Sequence, residues 1–502
     1  MDWKHFKSGT DIRACASEGV EGEHIELTDE VCYRITQGFM LWLCEKTGKK
    51  ANELKLAVGH DSRISADRIS SAVKSAMVDA GASVLDSGLS STPAMFMICL
   101  DEKLDGSVQI TASHHPFNRN GLKFFTPESG LEGRDISAIL AYCENGDAPE
   151  KCDGGKVTQI DYMSAYAANL RALICKRINA ADYDHPLAGY KIAVDAGNGV
   201  GGFYAHNVLA PLGADISASR YLEPDGMFPN HIPNPENKQA MASICEATLE
   251  GKCDLGVIFD TDVDRAGAVD EKGAEINRNR LIALASAIAL ENDPGATIVT
   301  DSTTSLGLKS FIENTLGGVH FRYRRGYRNV IDKAVELNAQ GISCPLAIET
   351  SGHAAMRENH FLDDGAYLVT LIIIKFAQLR AEGKNLDALI SRMPMPAEET
   401  ELRFKLTVPD FKAKGEEILA GLEKYAQTKE NWTLADDNRE GLRIYLDGGD
   451  WFLLRLSVHD PIMPLNLEAQ SEGGCKRAAN ELFGYLKNCD GIDIAPLTEF
   501  LA

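Results

Sequence analysis

Three stretches of the chain share one pattern of apolar and polar positions. Each has a continuous apolar run, then an aspartate, then a turn of small or polar residues, over 54–65, 190–202 and 296–307. An apolar run between turn residues predicts a buried β-strand. Helix-like segments follow at 66–82, 203–214 and 306–317. The order of strand, turn and helix predicts βαβ units with largely parallel strand pairing.

The pattern changes towards the end of the chain. After the first two helices a further strand is expected, over 82–88 and 215–223. From about residue 393, alternating apolar and polar runs at 400–408 and 451–458 surround a helix-like segment at 414–427. The predicted fold class is therefore α/β, with three similar mixed-sheet α/β domains and a smaller C-terminal α+β domain. The predicted domains are 1–157, 158–274, 275–392 and 393–502.

Composition narrows the class of protein. The chain has 502 residues, of which 44% are hydrophobic and 25% charged, as in soluble globular proteins. The net charge of −22 argues against general binding to nucleic acid or anionic membranes. The longest apolar runs, 94–100 and 368–374, fall short of the roughly 20 residues of a membrane helix. The first residues lack a signal sequence and the twelve cysteines form no CxxC pair, so a reduced, cytoplasmic chain is expected.

A serine at the end of a predicted strand is the first candidate for chemistry. The run GSVQITA ends at Ser113, and His114, His115 and Pro116 follow. A hydroxyl exposed at a strand end can be a nucleophile or carry a phosphoryl group. Lys123 lies ten residues further on and can turn back towards a phosphate. The alternative is an ordinary loop with solvated histidines.

Three alternating aspartates follow another apolar run. Asp260, Asp262 and Asp264 end the segment LGVIFDTDVD. Three carboxylates on one face repel one another unless a cation neutralises them, and oxygen ligands suit Mg²⁺. An EF-hand would also use Glu271, but Arg265 replaces its glycine and both flanks are strand-like. A solvated acidic turn is the remaining alternative, although the apolar flanks oppose it.

A glycine-rich turn follows the second apolar run. Gly197, Gly199 and Gly202 match GxGxxG after a strand, and Glu223 lies where a ribose-binding acid would sit. This pattern allows dinucleotide binding, but it also arises where a helix packs closely on its strand. The packing interpretation is favoured.

Three further segments offer polar groups. A cationic cluster in an acidic chain favours an anionic ligand, and it contains Arg322, Arg324, Arg325 and Arg328. The loop ETSGH provides acceptors, a hydroxyl and an imidazole through Glu349, Ser351 and His353. The turn RLSVHDP provides Arg455 and Ser457, which are able to grip a phosphate. Each segment taken singly is also compatible with a charged strand edge or an ordinary turn.

Taken in order, these loops resemble those of the α-D-phosphohexomutase family over essentially the whole chain. TASHHPFNRNGLK resembles the phosphoserine loop, DTDVDR the metal loop, ETSGH the sugar loop and RLSVHDP the phosphate loop. GTDIRA, VGHDSRIS and PDGMFPNHIPNPEN resemble further family motifs. The resemblance implies three α/β domains and a C-terminal domain around a central cleft.

Some positions depart from the family pattern. His115 replaces asparagine in the serine loop, and Thr261 and Val263 replace the glycines of the metal loop. The phosphate loop departs most, because Leu456, Val458, His459 and Asp460 replace its usual residues. A downstream arginine of many members falls at Pro464. The departures at 456–460 fall in the loop that the resemblance assigns to the distal phosphate.

The resemblance implies a phosphoserine enzyme that interconverts hexose 1-phosphate and hexose 6-phosphate through a bisphosphorylated sugar. Its implied catalytic residues are Ser113, Lys123, Arg13 and His353. Its implied substrate-binding residues are His114, Arg265, Arg328, Glu349, Ser351, Arg455 and Ser457. Mg²⁺ would be held by Asp260, Asp262, Asp264 and the phosphorylated Ser113.

The remaining expectations concern ligands and alternatives. Hexose 1,6-bisphosphate is expected as activator, and a small phosphosugar as partner, with glucose and mannose phosphates favoured. A phosphoglucosamine mutase, a metal-dependent sugar phosphatase, a non-catalytic sugar-phosphate sensor and an NAD-dependent enzyme remain as alternatives.

Overall fold

The structure is a computed structural model that describes residues 1–457 and 460–502. Its α-helices are α1 (Asp29–Thr47), α2 (Ala66–Asp79), α3 (Thr92–Asp101), α4 (Gly133–Asn145), α5 (Tyr162–Ile178), α6 (Lys238–Gly251), α7 (Asn279–Asn292), α8 (Leu306–Ser310), α9 (Tyr327–Ala339), α10 (Gly365–Ala381), α11 (Asp387–Ile390), α12 (Phe411–Ala426), α13 (Gly474–Leu486) and α14 (Ala495–Leu501).

The β-strands alternate with these helices along most of the chain. They are β1 (Lys7–Ser8), β2 (Asp11–Cys15), β3 (Lys55–His60), β4 (Ser83–Leu89), β5 (Gly106–Ile110), β6 (Arg119–Phe125), β7 (Lys156–Gln159), β8 (Ile192–Asp195), β9 (Leu255–Phe259), β10 (Ala266–Asp270), β11 (Glu275–Ile276), β12 (Thr297–Thr300), β13 (Val319–Arg322), β14 (Leu346–Ile348), β15 (Ala354–Met356), β16 (Leu362–Asp363), β17 (Glu398–Leu406), β18 (Thr433–Leu434), β19 (Leu442–Tyr445), β20 (Trp451–Leu454), β21 (Ile462–Ala469) and β22 (Ile492–Asp493).

The chain divides into two compact units. Unit 1 contains Met1–Ile288 and Ser351–Leu389, and unit 2 contains Ala289–Thr350 and Ile390–Ala502. Unit 1 has a seven-stranded mixed sheet in the order β1-β2-β6-β5-β3-β4-β7. Strands β5, β3, β4 and β7 pair in parallel, whereas β1, β2, β6 and β5 pair antiparallel. A buried apolar core that includes Ile35, Phe39, Val58 and Val108 joins this sheet to its helices.

A second, four-stranded sheet in unit 1 runs in the order β11-β10-β9-β8. Strands β8 and β9 are parallel, and β9 and β10 form an antiparallel hairpin. Strands β15 and β16 of unit 1 pair antiparallel. The hairpin of β9 and β10 matters for function, because its turn is the predicted metal loop.

In unit 2, β12 lies between β13 and β14 in parallel pairing. The C-terminal part of unit 2 is an antiparallel six-stranded sheet in the order β18-β19-β20-β21-β17-β22. Its own apolar core includes Phe404, Leu422, Phe452 and Leu482. The predicted α+β character of the tail is confirmed.

The structure confirms the α/β class with several mixed sheets, and it corrects two predicted elements. The segment 203–214 forms a π-helical turn at Tyr204–Leu209 and a 3₁₀ turn at Ala210–Leu212 in place of an α-helix. The predicted strand 215–223 is reduced to two isolated bridges. There the Asp215 carboxylate accepts a hydrogen bond from the Ser217 backbone N–H at 2.9 Å, which turns the chain away from a ladder.

Two further expectations concern the chain as a whole. All twelve cysteines are free thiols, as the sequence predicted. In the parts of the chain that the structure describes, every helix is too short or too polar to cross a bilayer. The four predicted domain boundaries stay a prediction.

Candidate active site

The three predicted metal ligands lie in the turn between β9 and β10. Because the two strands are antiparallel neighbours, residues 260–265 form a tight loop at the end of a buried hairpin. Asp260, Asp262 and Asp264 are all buried, and their carboxylate oxygens lie within 4.8 Å of one another. The sequence pattern therefore placed three acidic side chains together correctly.

The negative charge of these three buried carboxylates favours a bound cation. Burial raises the pKa of Asp260 well above its usual value, and the charges of Asp264 and Asp262 raise it further. Within the described residues, Asp262 Oδ1 and Asp264 Oδ1 are buried without a hydrogen-bond partner. Unpaired buried carboxylate oxygens are costly, and a hard divalent cation satisfies them directly. The donor set therefore fits Mg²⁺.

Two donors fix the other oxygens of these aspartates. Lys123 Nζ donates to Asp264 Oδ2 at 2.5 Å and to Asp262 Oδ2 at 3.2 Å. The Thr92 hydroxyl also donates to Asp262 Oδ2, and the Thr92 backbone N–H donates to the Asp262 carbonyl at 2.9 Å. These contacts leave Oδ1 of both aspartates available for a metal.

The predicted nucleophile lies against the metal loop. Ser113 follows β5 with a φ of 50°, in the left-handed region, and it is 1% exposed. Its hydroxyl donates to Asp260 Oδ2 at 3.1 Å and lies 3.3 Å from His114 Nδ1. A phosphoryl group on this oxygen would therefore stand next to the three aspartates.

Strand pairing brings two predicted cations to the same region. Lys123 on β6 is paired with Gln109 on β5, and Arg13 on β2 is paired with Gly121 on β6. Gly121 permits this approach, because a Cβ there would lie 2.2 Å from the Ile12 carbonyl oxygen. Arg13 Nη2 donates to Asp11 at 2.9 Å.

Both histidines of the serine loop are neutral at neutral pH. The charge of Arg265 and burial lower the pKa of His114. Burial lowers the pKa of His115 to about 3, and the charges of Arg13 and Arg63 contribute. Neutral imidazoles avoid adding positive charge beside the cationic side chains already present.

Part of the predicted sugar loop also lies beside the metal loop. Arg265 and His353 form an antiparallel bridge, and Arg265 Nε donates to His353 Nε2 at 2.8 Å. Since a guanidinium can only donate, His353 Nδ1 carries the proton and donates to the Asp363 carboxylate. Gly352, next in the loop to Ser351, allows close packing, because a Cβ there would lie 2.6 Å from the Ala266 carbonyl oxygen.

The GxGxxG glycines serve close packing against this site. A Cβ on Gly199 would lie 2.5 Å from the Thr261 carbonyl oxygen, and one on Gly202 would lie 2.1 Å from that of Leu222. Gly197 has a φ of 52°. These contacts support the packing interpretation, which the sequence favoured over dinucleotide binding.

The other predicted site residues belong to unit 2. Glu349 is buried and accepts a hydrogen bond from the Gly326 backbone N–H at 2.6 Å. Arg455 Nη1 lies 3.9 Å from Glu440 Oε1, and Arg455 Nε is buried without a hydrogen-bond partner among the described residues. The Ser457 hydroxyl accepts from the Asp460 N–H at 3.3 Å. The departures at Val458 and His459 lie outside the described residues.

The four arginines after β12 have different surroundings. Arg328 pairs with Asp332 at 2.9 Å, one helical turn further along α9. Arg322 pairs with Asp437 at 3.0 Å. Arg324 is exposed and lies over the Tyr323 ring, whereas the Arg325 backbone N–H donates to Glu440, the acid that also faces Arg455.

Electrostatic effects also place Arg325 near Arg455. Burial lowers the pKa of Arg455, the Glu440 charge opposes this and the Arg325 charge adds to it. Burial raises the pKa of Asp301, but the Arg325 charge and hydrogen bonds from Thr303 and Thr350 outweigh burial and lower it. Arg325 therefore belongs to the same charged cluster as Arg455.

Comparison with known proteins decides the family. Profiles described as phosphoglucomutase/phosphomannomutase, alpha/beta/alpha domains I, II and III, match residues 13–150, 164–273 and 277–395. The chain belongs to the phosphoglucomutase/phosphomannomutase family. This confirms the resemblance drawn from the sequence motifs, and it makes the chain an enzyme of a phosphohexose mutase family, in the isomerase class.

Full-length relatives agree with the family assignment. The chain is 28% identical over 470 residues to a phosphoglucomutase of Neisseria gonorrhoeae, covering 93% of this chain and 95% of the relative. It is 29% identical over 484 residues to a phosphomannomutase/phosphoglucomutase of Pseudomonas aeruginosa, covering 95% and 96%. A phosphoglucomutase/phosphomannomutase family protein of Burkholderia thailandensis has the same fold, with a TM-score of 0.79 at 24% identity over 97% of this chain and 98% of that one.

Sequence patterns provided no signal for several residues that contact predicted site residues. Arg63, Thr92, Asp363 and Glu440 each contact a predicted site residue. Arg63 belongs to VGHDSRIS, which resembles a family motif but gives no indication of the role of this arginine. Thr92 begins a helix after the N-cap residue Ser91, a local signal that says nothing about its contact with Asp262, 170 residues away.

Proposed function

We propose that the chain interconverts hexose 1-phosphate and hexose 6-phosphate through a phosphorylated Ser113 and a hexose 1,6-bisphosphate intermediate. The observation that carries this proposal is the Ser113 hydroxyl, 3.1 Å from Asp260 in a buried cluster of three aspartates. Two orphan carboxylate oxygens in that cluster support a divalent cation beside the serine.

Mg²⁺ is the proposed cofactor, with Asp260, Asp262, Asp264 and a phosphoserine oxygen as its ligands. When bound, it neutralises charge on the transferring phosphoryl group. Three carboxylates and a phosphate of about −2 give roughly −5, and Mg²⁺ with Arg13, Lys123 and Arg265 supplies about +5. A nearly neutral, buried cluster accommodates the charge that moves during in-line transfer.

The residues of this chain have distinct proposed tasks around the serine. Ser113 gives its phosphoryl group to a sugar hydroxyl and takes back the other one after the bisphosphate has turned round. Lys123 holds Asp262 and Asp264, and His353 holds Arg265 through Nε2. Lys123 and His353 also stay our candidates for proton transfer.

The distal phosphate and the sugar are assigned to other groups. Arg455 and Ser457 are proposed to grip the phosphate that is not being transferred, with Glu349 and Ser351 binding sugar hydroxyls. Arg325 joins Arg455 in this proposal, because its backbone N–H donates to Glu440, which Arg455 also faces, and because the charges of the two arginines interact. Arg328, the arginine favoured from the sequence, already has an ion pair with Asp332.

The names of the relatives favour glucose and mannose phosphates as substrates. Two full-length relatives are named phosphoglucomutase and phosphomannomutase/phosphoglucomutase. Phosphoglucosamine mutase is the main alternative, and hexose 1,6-bisphosphate is the proposed activator.

A mutase assay with Mg²⁺ and a trace of glucose 1,6-bisphosphate tests the proposal. We expect glucose or mannose 1-phosphate to be converted to the 6-phosphate. Ser113→Ala is expected to lower the rate by at least about 1,000-fold, because it removes the group that carries phosphate. Ser70→Ala is the matched control, since Ser70 is a buried serine of the same unit whose hydroxyl lacks a hydrogen-bond partner among the described residues.

Other outcomes of the assay identify the alternatives. Release of free phosphate without isomer would indicate a phosphatase. Binding without turnover would indicate a sensor. Conversion of glucosamine 1-phosphate alone would indicate a phosphoglucosamine mutase, and equal activity in Ser113→Ala would contradict the nucleophile.

A further inference from the structure

Arg63 lies beneath the serine loop, in the loop that follows β3. It is 2% exposed, and its guanidinium uses all five of its N–H groups. Nε donates to Asp61 Oδ2 at 3.1 Å. The four Nη hydrogens go to four backbone carbonyls of the serine loop, those of Ser113, His115, Pro116 and Arg119.

The same guanidinium is also held from the other side. The Phe228 ring centroid lies 5.3 Å from the guanidinium carbon of Arg63. The backbone near Phe228 packs closely against Arg63, because a Cβ on Gly226 would lie 2.7 Å from the Arg63 Cα. These contacts hold the Arg63 side chain in one position, and its guanidinium in turn holds four carbonyl groups of the serine loop.

A closed ring of hydrogen bonds runs from Arg63 to the nucleophile and back. Ser113 N donates to the Thr111 hydroxyl at 2.9 Å, and that hydroxyl donates to Asp61 Oδ2 at 2.7 Å. Asp61 accepts from Arg63 Nε, and Arg63 Nη2 donates to the Ser113 carbonyl. The ring fixes both the N–H and the C=O of Ser113.

This ring accounts for the unusual backbone of Ser113. A non-glycine residue with a φ of 50° persists only where its surroundings determine it, at a cost of roughly 1–3 kcal/mol. The left-handed conformation directs the hydroxyl at Asp260, and loss of the ring would release it. Displacement of a reacting atom by about 1 Å can lower a rate by about 100-fold.

We propose that Arg63 is a positioning residue that holds the Ser113 turn in its reactive conformation without touching the substrate. The proposal rests on the proposed function, in which Ser113 carries the phosphoryl group. Its distinguishing prediction is a loss of kcat with little change in KM, because Arg455, Ser457 and Glu349, which are proposed to bind the phosphosugar, lie in other loops.

Arg63→Lys tests the proposal, since lysine keeps the charge but cannot reach four carbonyls. We expect kcat to fall by about 100-fold, while the KM for the sugar 1-phosphate changes less than threefold. The ³¹P NMR signal of the phosphoserine is expected to shift or broaden after incubation with glucose 1,6-bisphosphate.

Arg68→Lys is the matched control. Arg68 is in the same unit and likewise binds a carboxylate, Asp29, and two backbone carbonyls, those of Ala16 and Leu27. We expect Arg68→Lys to lower the melting temperature while kcat stays within threefold of wild type. An equal loss of kcat in both variants would mean general loosening and would overturn the proposal.

A second variant covers the case in which Arg63→Lys does not fold. Thr111→Val opens the ring next to Ser113 and retains the shape and the arginine. Unchanged kcat in Thr111→Val, or in a folded Arg63→Lys, overturns the positioning role. Failure of the proposed function is a separate result, because wild type itself would then lack mutase activity.

Discussion

At the scale of single residues, Thr261 and Val263 are the unusual side chains of the metal loop. Both replace glycines of the family pattern. Val263 has a φ of 66°, which is rare for a β-branched residue, and the Gly365 N–H donates to its carbonyl at 3.0 Å. Its side chain is fully buried, so apolar burial offsets the backbone strain. The three aspartates proposed as ligands lie together in this loop, which has Thr261 and Val263 where the family pattern has glycines.

Arg325 is the arginine that we propose binds the distal phosphate together with Arg455. We expect Arg325→Ala to raise the KM for hexose 1-phosphate by about 10- to 100-fold, because one charge-assisted hydrogen bond contributes about 1.5–3 kcal/mol. kcat should change less, since the distal phosphate is bound in both ground and transition states. Steady-state kinetics measures both parameters.

Two neighbouring arginines serve as comparisons in that experiment. Arg324→Ala removes an exposed arginine that lies over Tyr323, and its KM should stay within threefold of wild type. Arg328→Ala removes the arginine that pairs with Asp332. A larger rise of KM in Arg328→Ala than in Arg325→Ala would contradict the assignment and restore the one made from the sequence.

At the scale of elements, α3 contacts Asp262, a proposed metal ligand that lies far away in the sequence. Its first residue, Thr92, donates to Asp262 from both its hydroxyl and its backbone N–H. The N-terminus of a helix is a favourable place for a carboxylate, and Asp262 lies at the N-terminus of α3. The helix thus fixes one oxygen of the ligand and leaves the other for the metal.

Thr92→Val should weaken metal binding while the fold stays intact. The variant keeps the shape and the backbone contact but removes the hydroxyl donor. Loss of a group that orients a metal ligand typically costs 10–100-fold in metal affinity, and we expect a loss in this range for Mg²⁺. Mg²⁺ titration of the mutase rate or isothermal calorimetry measures it.

Thr36→Val is the control for loss of a buried threonine hydroxyl. The Thr36 hydroxyl donates to the Cys32 carbonyl at 2.8 Å within α1, and in the described part of the chain no hydrogen bond joins it to the loop of residues 260–265. Its Mg²⁺ affinity should equal that of wild type. Equal Mg²⁺ affinity of Thr92→Val and wild type would show that the contact does not orient Asp262.

The elements also show what could be predicted from the sequence. Strands β3, β9 and β12 are continuous apolar runs, and Ser113 and the three aspartates follow such runs, so local pattern sufficed for them. The segment 215–223 failed as a strand because Asp215 bonds to the local backbone, which competes with a ladder. The contacts of Thr92 and Arg63 join distant segments, and no local pattern encodes them.

At the scale of the whole molecule, the proposed groups are divided between two compact units. The nucleophile, the three aspartates, Lys123 and Arg265 belong to unit 1. Arg325, Glu349, Arg455 and Ser457 belong to unit 2, which has an apolar core of its own. The groups proposed to carry out phosphoryl transfer are therefore concentrated in one unit, and most groups proposed to bind the substrate are in the other.

This division predicts where Mg²⁺ stabilises the protein. Since every proposed oxygen ligand is in unit 1, Mg²⁺ should slow hydrogen exchange in 106–125 and 255–270 of the native protein. At about 100 times the dissociation constant, binding stabilises the competent state by about 2.7 kcal/mol. Segments of unit 2 such as 451–457 and 462–469 should keep their exchange rates, because local opening there does not disturb the ligands.

Hydrogen exchange followed by mass spectrometry, with and without Mg²⁺, decides the matter. Asp262→Asn is the control, since it removes a ligand charge from the cluster and should abolish the Mg²⁺-dependent protection. Equal protection of both units would mean that they open together, so that Mg²⁺ binding slows hydrogen exchange throughout the chain. Protection confined to unit 2 would place the cation away from the aspartates, and the proposed ligands would then be wrong.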